Sequence, residues 1–198
     1  MDIFNGTLLN DTFSSITNPI VINPTFDNEY TINGFITNNP LSPNSSYHIH
    51  SSDLFKRGDI IQHGSNNDYY IVTGDVINPR GNKYKATIDF CNYENVIIET
   101  EQVRVGTLPN GRPKYEYIER VVGAYIGMIR HREVSISTNS SVVVANTELI
   151  LSIQDNVANR THFVVNTPIE YDGKTFKVTE ILVGKIGLLE MRLKSSTL

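Results

Sequence analysis

Residues 58–93 read GDIIQHGSNNDYYIVTGDVINPRGNKYKATIDFCNY, which divides into three strand-like runs separated by two turns. The runs are rich in β-branched and aromatic residues, while the turns at residues 63–68 and 78–82 are rich in Gly, Asn, Asp and Pro. Each of these turn residues favours a bend for its own backbone reason. The pattern predicts a β-meander, since three strands that share an apolar face are about the smallest sheet stable in water.

A similar order of runs and turns recurs near the end of the chain. It begins with HFVV at residues 162–165, passes Pro168 and the sequence YDGK at residues 171–174, and ends with GLLEMRL at residues 187–193. The sequence YIVT at residues 70–73 aligns with FKVT at residues 176–179. Two similar sheets, two halves of one barrel, or two unrelated meanders are all compatible with this near-repeat.

The composition favours an all-β protein. The chain has 198 residues, of which 39% are hydrophobic and 19% charged. It is rich in residues typical of strands and turns, such as Ile, Thr, Asn and Ser. This length allows one large or two small domains with a real core. The net charge of −4, without a basic block, argues against binding nucleic acid over a broad surface.

The single cysteine, Cys91, excludes an internal disulfide framework and a multi-cysteine metal site. We interpret it as a small buried apolar residue rather than a nucleophile. The opening sequence MDIFNG has no basic segment and no long apolar run, so we expect no signal peptide. No run approaches the ~20 apolar residues of a membrane span, so we expect synthesis in a reducing cytoplasm and no membrane partner.

The N-terminal part predicts a short helix over residues 1–15, followed by strands at residues 19–24 and 30–37. Residues 38–52 are dominated by Asn, Pro and Ser, and we interpret them as a long exposed loop. Beyond residue 93, strands are predicted over residues 96–105 and 115–130. The turn PNGRP at residues 109–113 between them indicates a hairpin, and its prolines favour a long arm at a sheet edge.

Further strands are predicted at residues 141–145 and 148–154, and residues 155–160 are expected to turn into the closing meander. Roughly ten short strands at this spacing are typical of sandwiches and small barrels. The predicted fold is therefore mainly β, a β-barrel or β-sandwich built from short antiparallel meanders, with a short N-terminal helix. The predicted segments are an N-terminal arm (1–52), a central meander (53–105) and closing strands (106–198), which together can form one domain.

Few residues point to chemistry. His48 and His50 stand two apart with Asp53 nearby, but a metal site needs more converging ligands, so two solvated histidines are the better interpretation. The cluster RHRE at residues 130–133 is typical of a solvated edge, and RGD at residues 57–59 is typical of a strand opening rather than a recognition tripeptide. No catalytic order of residues is legible. We therefore predict that the chain is not an enzyme and carries no cofactor and no metal.

The segments GDII (58–61), YYIVT (69–73), YKATI (84–88) and FCNY (90–93) resemble small virion structural proteins of tailed bacteriophages. The closing sequence YDGKTFKVT (171–179) followed by GLL (187–189) is also similar to that group. This resemblance implies a head-tail connector, also called a neck or head-closure protein. Such proteins assemble as homo-oligomeric rings at the vertex, extend the portal channel and help to retain packaged DNA.

The resemblance implies as partners further copies in a ring, the portal or adaptor, and the tail terminator, with local contact to DNA in the channel. It also implies a location in the virion neck. Loop and arm residues are the natural reaching elements of such a subunit. The candidate inter-subunit contacts are Asn44, Tyr47, Pro109, Asn110, Arg112, Arg130 and Arg132.

Two other classes stay open. One is another virion β-protein, such as a tail-tube, tail-tip or capsid-decorating component. The other is a carbohydrate-binding adhesin module, suggested by ten Tyr and polar loops, although the absence of Trp weakens it because sugar platforms favour broad aromatic faces.

Overall fold

The computed structural model describes residues 6–24, 28–38, 46–63, 68–78, 83–132 and 148–195. Within these ranges the chain forms two helices and twelve strands, which confirms the predicted mainly-β fold with a short N-terminal helix. In chain order they are α1 (Gly6–Ile16), β1 (Asn18–Ile22), β2 (Tyr30–Asn38), β3 (Tyr47–Ser51), β4 (Ile60–His63), β5 (Asp68–Val72), β6 (Tyr84–Phe90), β7 (Tyr93–Thr107), β8 (Pro113–Arg132), β9 (Glu148–Gln154), α2 (Val157–His162), β10 (Pro168–Tyr171), β11 (Lys174–Leu182) and β12 (Leu188–Ser195).

The first six strands close into an antiparallel barrel in the order β1-β2-β3-β6-β5-β4. The predicted meander forms β4, β5 and β6, and the barrel closes where β4 pairs with β1 through Val21 opposite Gln62 and Ile22 opposite Ile61. The alternation that places every second side chain inward fills the barrel with aliphatic residues. Its buried core consists of Ile20, Ile22, Ile32, Ile49, Phe55, Ile61, Val72, Ala86 and Ile88.

The last six strands form a second antiparallel sheet in the order β7-β8-β9-β12-β11-β10. This is the barrel's own order with six added to every strand number, so the two halves share one topology. They differ at the seam, because β7 and β10, the counterparts of the paired strands β1 and β4, do not pair. The aligned sequences YIVT and FKVT fall on β5 and β11, which are counterparts, so the predicted repeat is confirmed at the level of topology.

All six strands of the second sheet contribute to one hydrophobic core. The sheet therefore curls around its own core, and the chain segment after α2 adds Phe163, whose side chain is fully buried. The core consists of Tyr93, Tyr125, Ile129, Leu149, Leu151, Ile153, Phe163, Ile169, Phe176, Val178, Leu189, Met191 and Leu193.

A third apolar cluster, called the junction cluster below, joins the barrel to the second sheet. It consists of Ile60 and Ile71 from the barrel and Ile126, Met128 and Leu188 from the second sheet. Polar contacts reinforce this junction. Gln154 Nε2 donates to Asn23 Oδ1 at 3.0 Å, and the buried Asn23 also accepts the Ile60 backbone N–H and donates to Asp59.

Helix α1 lies against the outside of the barrel. Phe13 of the helix packs on Phe35 of β2 at 5.4 Å between ring centroids, and Phe35 stacks in turn on His50 of β3 at 4.9 Å. Lys83 Nζ lies 4.5 Å from the centre of the Phe13 ring. The predicted helix is therefore present, fixed to the barrel by an aromatic stack and a cation–π contact.

Three local predictions are wrong. The exposed loop predicted over residues 38–52 contains strand β3, because Ile49 and Ser51 alternate inward between β2 and β6. Residues 157–162, predicted as a turn and the start of a strand, form α2, since the Asn156 side chain caps it by accepting the Asn159 N–H. Strands β7 and β8 extend beyond their predicted bounds of 96–105 and 115–130, to 15 and 20 residues.

The strand predicted at residues 141–145 lies outside the described residues. The chain passes from the barrel to the second sheet between Phe90, at the end of β6, and Tyr93, at the start of β7. The predicted segments 1–52, 53–105 and 106–198 stay a prediction about domains, because the change of sheet does not by itself define folding units.

Candidate functional site

Strands β7 and β8 form a two-stranded ribbon that extends beyond the rest of the second sheet. Strand β8 pairs with β9 only from Gly127 to Arg132, whereas its pairing with β7 continues from Gly127 out to Pro113. The paired part beyond β9, residues 94–107 and 113–126, together with its turn is called the ribbon below. At about 3.3 Å per residue it is roughly 40 Å long.

The tip of the ribbon is the turn that the sequence predicts. Leu108 and Arg112 close it through the Arg112 carbonyl, which accepts the Leu108 N–H at 2.7 Å, while the Asn110 side chain accepts the Arg112 N–H at 3.1 Å. Gly111 has a φ of +83°, a left-handed conformation that glycine adopts without strain. The predicted hairpin is confirmed, and its turn at residues 109–113 forms the end of a long arm.

The two faces of the outer ribbon differ in chemistry. Residues directly opposite each other share a face, and Gln102 pairs with Tyr117 while Arg104 pairs with Tyr115. This face, called the tyrosine face below, therefore carries two aromatic rings and a guanidinium. The other face carries charge, since Lys114 Nζ lies 2.8 Å from Glu116 Oε1.

The outer ribbon is exposed on both faces. The described side chains of residues 100–119 are exposed except that of Val103, which is half-buried, and Tyr117 is 73% exposed. Tyr and Arg are the side chains most enriched where proteins bind each other. A two-stranded hairpin without a third strand is marginally stable in water. The ribbon therefore has the composition of a binding surface, and pairing with a further strand would stabilise it.

The base of the ribbon is firmly held. Tyr125 lies in the core of the second sheet, and Ile126 packs into the junction cluster. Immediately before β7 begins, the Asn92 side chain continues the pairing with β8, since its Oδ1 accepts the Ile129 N–H at 2.6 Å and its Nδ2 donates to the Ile129 carbonyl at 2.9 Å. The ribbon thus projects from a rigid body.

The structure distributes the predicted contact residues over three places. Pro109, Asn110 and Arg112 lie exposed at the ribbon tip, as a reaching element requires. Tyr47 is half-buried in β3, where its ring packs edge-on against Tyr70 at 5.5 Å between centroids. Asn44 lies outside the described residues. Contact of any of these residues with a neighbouring copy stays a prediction.

The two predicted arginines of β8 lie at the opposite end from the tip. Arg130 is exposed and its Nη2 lies 3.8 Å from Glu190 Oε1, an oxygen that also accepts from Lys185 Nζ at 3.1 Å. Arg132 stands opposite Glu148 in the register of β8 and β9. Sequence reasoning missed the tyrosine face, although the spacing Tyr115-x-Tyr117 in a predicted strand places both rings on one side.

The histidine pair lies on the barrel wall rather than in a linker. His50 stacks on Phe35 and its Nε2 lies 3.2 Å from Thr37 Oγ1, while burial and then the charge of Lys85 lower the pKa of both His48 and His50. The nearby carboxylate of Asp53 accepts the Asn33 N–H at 2.8 Å. Across the described ranges, no three His, Cys, Asp or Glu side chains are grouped to hold a metal ion.

The RGD sequence and Cys91 have structural roles. Gly58 adopts a φ of +88° in the turn before β4, and the buried Asp59 accepts hydrogen bonds from Asn23 Nδ2, the Tyr30 hydroxyl and the Lys56 N–H. Cys91 packs against the junction cluster, where burial raises the pKa of its thiol. This tripeptide opens a strand, as the sequence indicated, and the thiol is far from a reactive state.

Two clefts flank the loop between β11 and β12, with volumes of about 440 and 450 Å³. The first is lined by Asp155, Arg160 and the loop itself, and the second by Lys56, Asp59 and Gln154 at the junction of the two halves. In the first, Arg160 forms a bidentate pair with Asp155, which lowers the pKa of that carboxyl. In the second, the Asp59 carboxylate already accepts hydrogen bonds from Asn23, Tyr30 and the Lys56 backbone N–H. The ribbon is therefore the stronger candidate site.

Comparison with known proteins connects the first half of the chain to phages. Residues 2–90 match the family model of the YomX N-terminal domain, a family derived from the Bacillus prophage protein YomX. The match ends with the last strand of the barrel and does not include the ribbon. It suggests a phage protein, in agreement with the predicted phage origin.

The chain matches none of the curated proteins and none of the solved structures. Among the described residues, neither helix has the length and apolar character needed to cross a bilayer.

Proposed function

We propose that this chain is a non-enzymatic structural protein of a phage virion that assembles into a ring and connects head and tail. The observation that carries the proposal is the ribbon, a projecting arm of roughly 40 Å whose outer part, residues 100–119, is exposed and whose base is held by two buried cores. A rigid body with a projecting arm can reach a neighbouring subunit without a large apolar patch on its own surface. The family match of residues 2–90, which suggests a phage protein, supports this proposal.

In this role the partners are further copies of the chain, the portal or adaptor on one side and the tail terminator on the other. Arg112 at the exposed ribbon tip is the residue best placed for a local contact with DNA in the channel. The protein would be made in the host cytoplasm and reside in the neck of the virion. A tail-tube component would use the same ribbon, and its position in the particle distinguishes the two.

The test combines assembly with localisation. The purified protein is followed by mass photometry and negative-stain electron microscopy, alone and with portal or adaptor rings, and its density is located by cryo-electron microscopy of the phage that encodes it. We expect weak association alone, rings on the portal or adaptor, and density in the neck. Density along the tail tube or at the tail tip, or the protein only in free form, would contradict the connector role.

A matched pair of variants tests whether the ribbon drives assembly. Tyr115→Ser/Tyr117→Ser removes the two rings of the tyrosine face and should abolish ring formation, because aromatic anchors dominate binding energy. Val183→Ser/Ile186→Ser changes two side chains that are 96% and 92% exposed in the loop between β11 and β12. These substitutions should leave assembly unchanged. Equal effects of the two variants would show that the ribbon has no special role.

A further inference from the structure

The ribbon leaves two backbone edges unpaired. Strand β7 is the outermost strand of the second sheet, so its outer edge is open along Tyr93–Thr107. Strand β8 pairs with β9 only over Gly127–Arg132, so its outer edge is open over residues 113–126. Within the described part of the chain, no other strand covers either edge. One ribbon thus offers two free edges of similar length, on opposite sides.

We propose that the ribbons of neighbouring copies pair edge to edge, β7 of one copy with β8 of the next, and form a continuous antiparallel β-barrel at the centre of the ring. The inference rests on the proposed ring assembly and names the surface that makes it. A cyclic ring points every ribbon in the same direction along its axis. Since β7 and β8 are antiparallel within one chain, β7 of one copy and β8 of its neighbour are then antiparallel as well.

A second copy of this chain fits these edges better than a foreign strand. A foreign strand added to β7 would leave the β8 edge open, and a protein of this kind would still carry a long template for aggregation. A heterologous contact between copies uses both edges at once, and a closed ring leaves none. The matched extent of the two edges, residues 94–107 and 113–126, is the feature that a continuous sheet requires.

Ring symmetry also fixes which side chains meet. Rotation about the axis places the same face of every ribbon inside, so a β7 residue of the tyrosine face must meet a β8 residue of that face in the next copy. Rotation also leaves each residue at the same height along the axis, and residues paired within one ribbon share that height. Ribbons that run along the axis therefore place Arg104 and Gln102 of one copy beside Tyr115 and Tyr117 of its neighbour. An Arg beside a Tyr ring makes a favourable cation–π contact, which gives the pairing a preferred register.

Disulfide scanning between two differently tagged proteins tests the pairing. One protein carries Thr100→Cys, Gln102→Cys or Arg104→Cys on β7, and the other carries Tyr115→Cys, Tyr117→Cys or Glu119→Cys on β8. All six positions share the tyrosine face, and cross-strand neighbours lie about 4.5–5.5 Å apart, within reach of a disulfide. The mixed proteins are assembled, oxidised mildly and separated by mass.

We expect cross-links between a β7 cysteine and a β8 cysteine, strongest for combinations that share one register, and none between two β7 or two β8 cysteines. The wild-type protein, whose Cys91 is packed against the junction cluster with a raised thiol pKa, and a Val183→Cys variant off the ribbon serve as controls and should give no cross-link. Dominant β7–β7 or β8–β8 products would overturn the proposal, as would the absence of any ribbon cross-link in assembled rings.

A shortened ribbon separates failure of this inference from failure of the proposed function. Replacing residues 100–119 by a two-residue Asn-Gly turn keeps the anchored base and removes the outer edges. We expect this variant to keep a cooperative urea transition, because both buried cores lie outside the deleted residues, and to lose ring formation. Rings that persist without the outer ribbon would refute edge pairing and leave the connector role standing, whereas particles with density away from the neck would refute the connector role alone.

Discussion

The buried carboxylate of Asp59 is the polar centre of the junction between the two halves. Its oxygens accept from Asn23 Nδ2 at 3.0 Å, the Tyr30 hydroxyl at 2.9 Å and the Lys56 N–H at 2.7 Å. Burial and this charge raise the pKa of Tyr30, which keeps its hydroxyl a donor. Three donors converging on one buried acceptor explain why a carboxylate occupies this position.

Asp59→Asn keeps the shape of the side chain and replaces one acceptor oxygen by a donating amide. At least one buried donor then loses its partner, so we expect a loss of about 1–3 kcal/mol in the free energy of unfolding. Urea unfolding followed by circular dichroism measures it. Glu116→Gln is the control, because the Glu116 side chain is 55% exposed and its ion-pair partner Lys114 is 52% exposed. Its effect should stay within about 0.5 kcal/mol.

The histidines of β3 make stability depend on pH near neutrality. Burial, then the charge of Lys85, lowers the pKa of His48 and His50 below the ordinary value of 6.5. Because the pKa of each imidazole is lower in the folded than in the unfolded chain, the unfolded chain binds protons at a higher pH than the folded chain does. Proton binding then favours the unfolded chain, so the stability present above the unfolded pKa is lost as the pH falls. The free energy of unfolding should therefore decrease as the pH drops below about 6.5.

The variant His48→Gln/His50→Gln should flatten that decrease. His63→Gln, which changes an exposed histidine at the end of β4, should leave it in place. Unfolding in urea at a series of pH values provides the comparison. An unchanged pH dependence in the double variant would show that other groups cause it.

The ribbon is an element whose two strands depend on each other. A hairpin without a third strand opens readily, while β9 is paired on both sides by β8 and β12. In the free protein we expect backbone amides of residues 100–119 to exchange hydrogen with solvent much faster than those of β9. Assembly should slow the exchange of the ribbon and leave β9 unchanged. Hydrogen exchange read by mass spectrometry measures both, and strong protection of the ribbon in the free protein would contradict the marginal stability of an unsupported hairpin.

The elements also show what the sequence can predict. Strands β4 to β6 and β10 to β12 were recognisable because their turns contain Gly, Asn and Asp at the required places, such as Asp172 and Gly173, both with positive φ. Strand β3 was missed because its outward positions hold His, and because Ser-rich flanks surround Ile49, its one buried aliphatic residue. The short α2 was missed because its signal, the Asn156 cap, looks like a turn residue in isolation.

The candidate site was predictable only at its tip. The sequence PNGRP indicates a hairpin, but no local pattern reveals where β9 stops pairing with β8, since that depends on contacts far apart in the chain. The length of the ribbon and its two open edges are therefore properties of the whole sheet. Conversely, the spacing of Tyr115 and Tyr117 does predict a shared face once the strand is accepted.

At the scale of the whole molecule, two halves of one topology are used differently. The first half closes through β1 and β4 and supplies a stable body, while the second leaves β7 free and extends it, with β8, into the ribbon. A shared strand order with a different seam gives one chain both a rigid base and a reaching arm. The junction couples the ribbon to the barrel, and one of its contacts is the close approach of two glycines.

Gly58 and Gly187 pack backbone to backbone where the turn before β4 meets the loop before β12. Gly187 has a φ of +90°, and a Cβ there would lie 2.2 Å from the Arg57 carbonyl oxygen. Gly187→Ala should therefore lower the free energy of unfolding by roughly 2–4 kcal/mol, through strain and separation of the two halves. Gly184→Ala in the same loop is the control, since no atom lies within 4 Å of its added Cβ, and its effect should stay within about 0.5 kcal/mol.

The same pair of variants tests whether the two halves unfold together. Gln154 with Asn23, the Leu188 contact and the glycine pair all cross the junction, so we expect one cooperative urea transition in the wild-type protein. With the glycine contact broken, the transition of Gly187→Ala should broaden or divide into two, because each half retains its own core. Gly184→Ala should keep the single transition. A Gly187→Ala transition as sharp as that of the control would mean that the apolar cluster of Ile60, Ile71 and their partners is sufficient to couple the arm to the barrel.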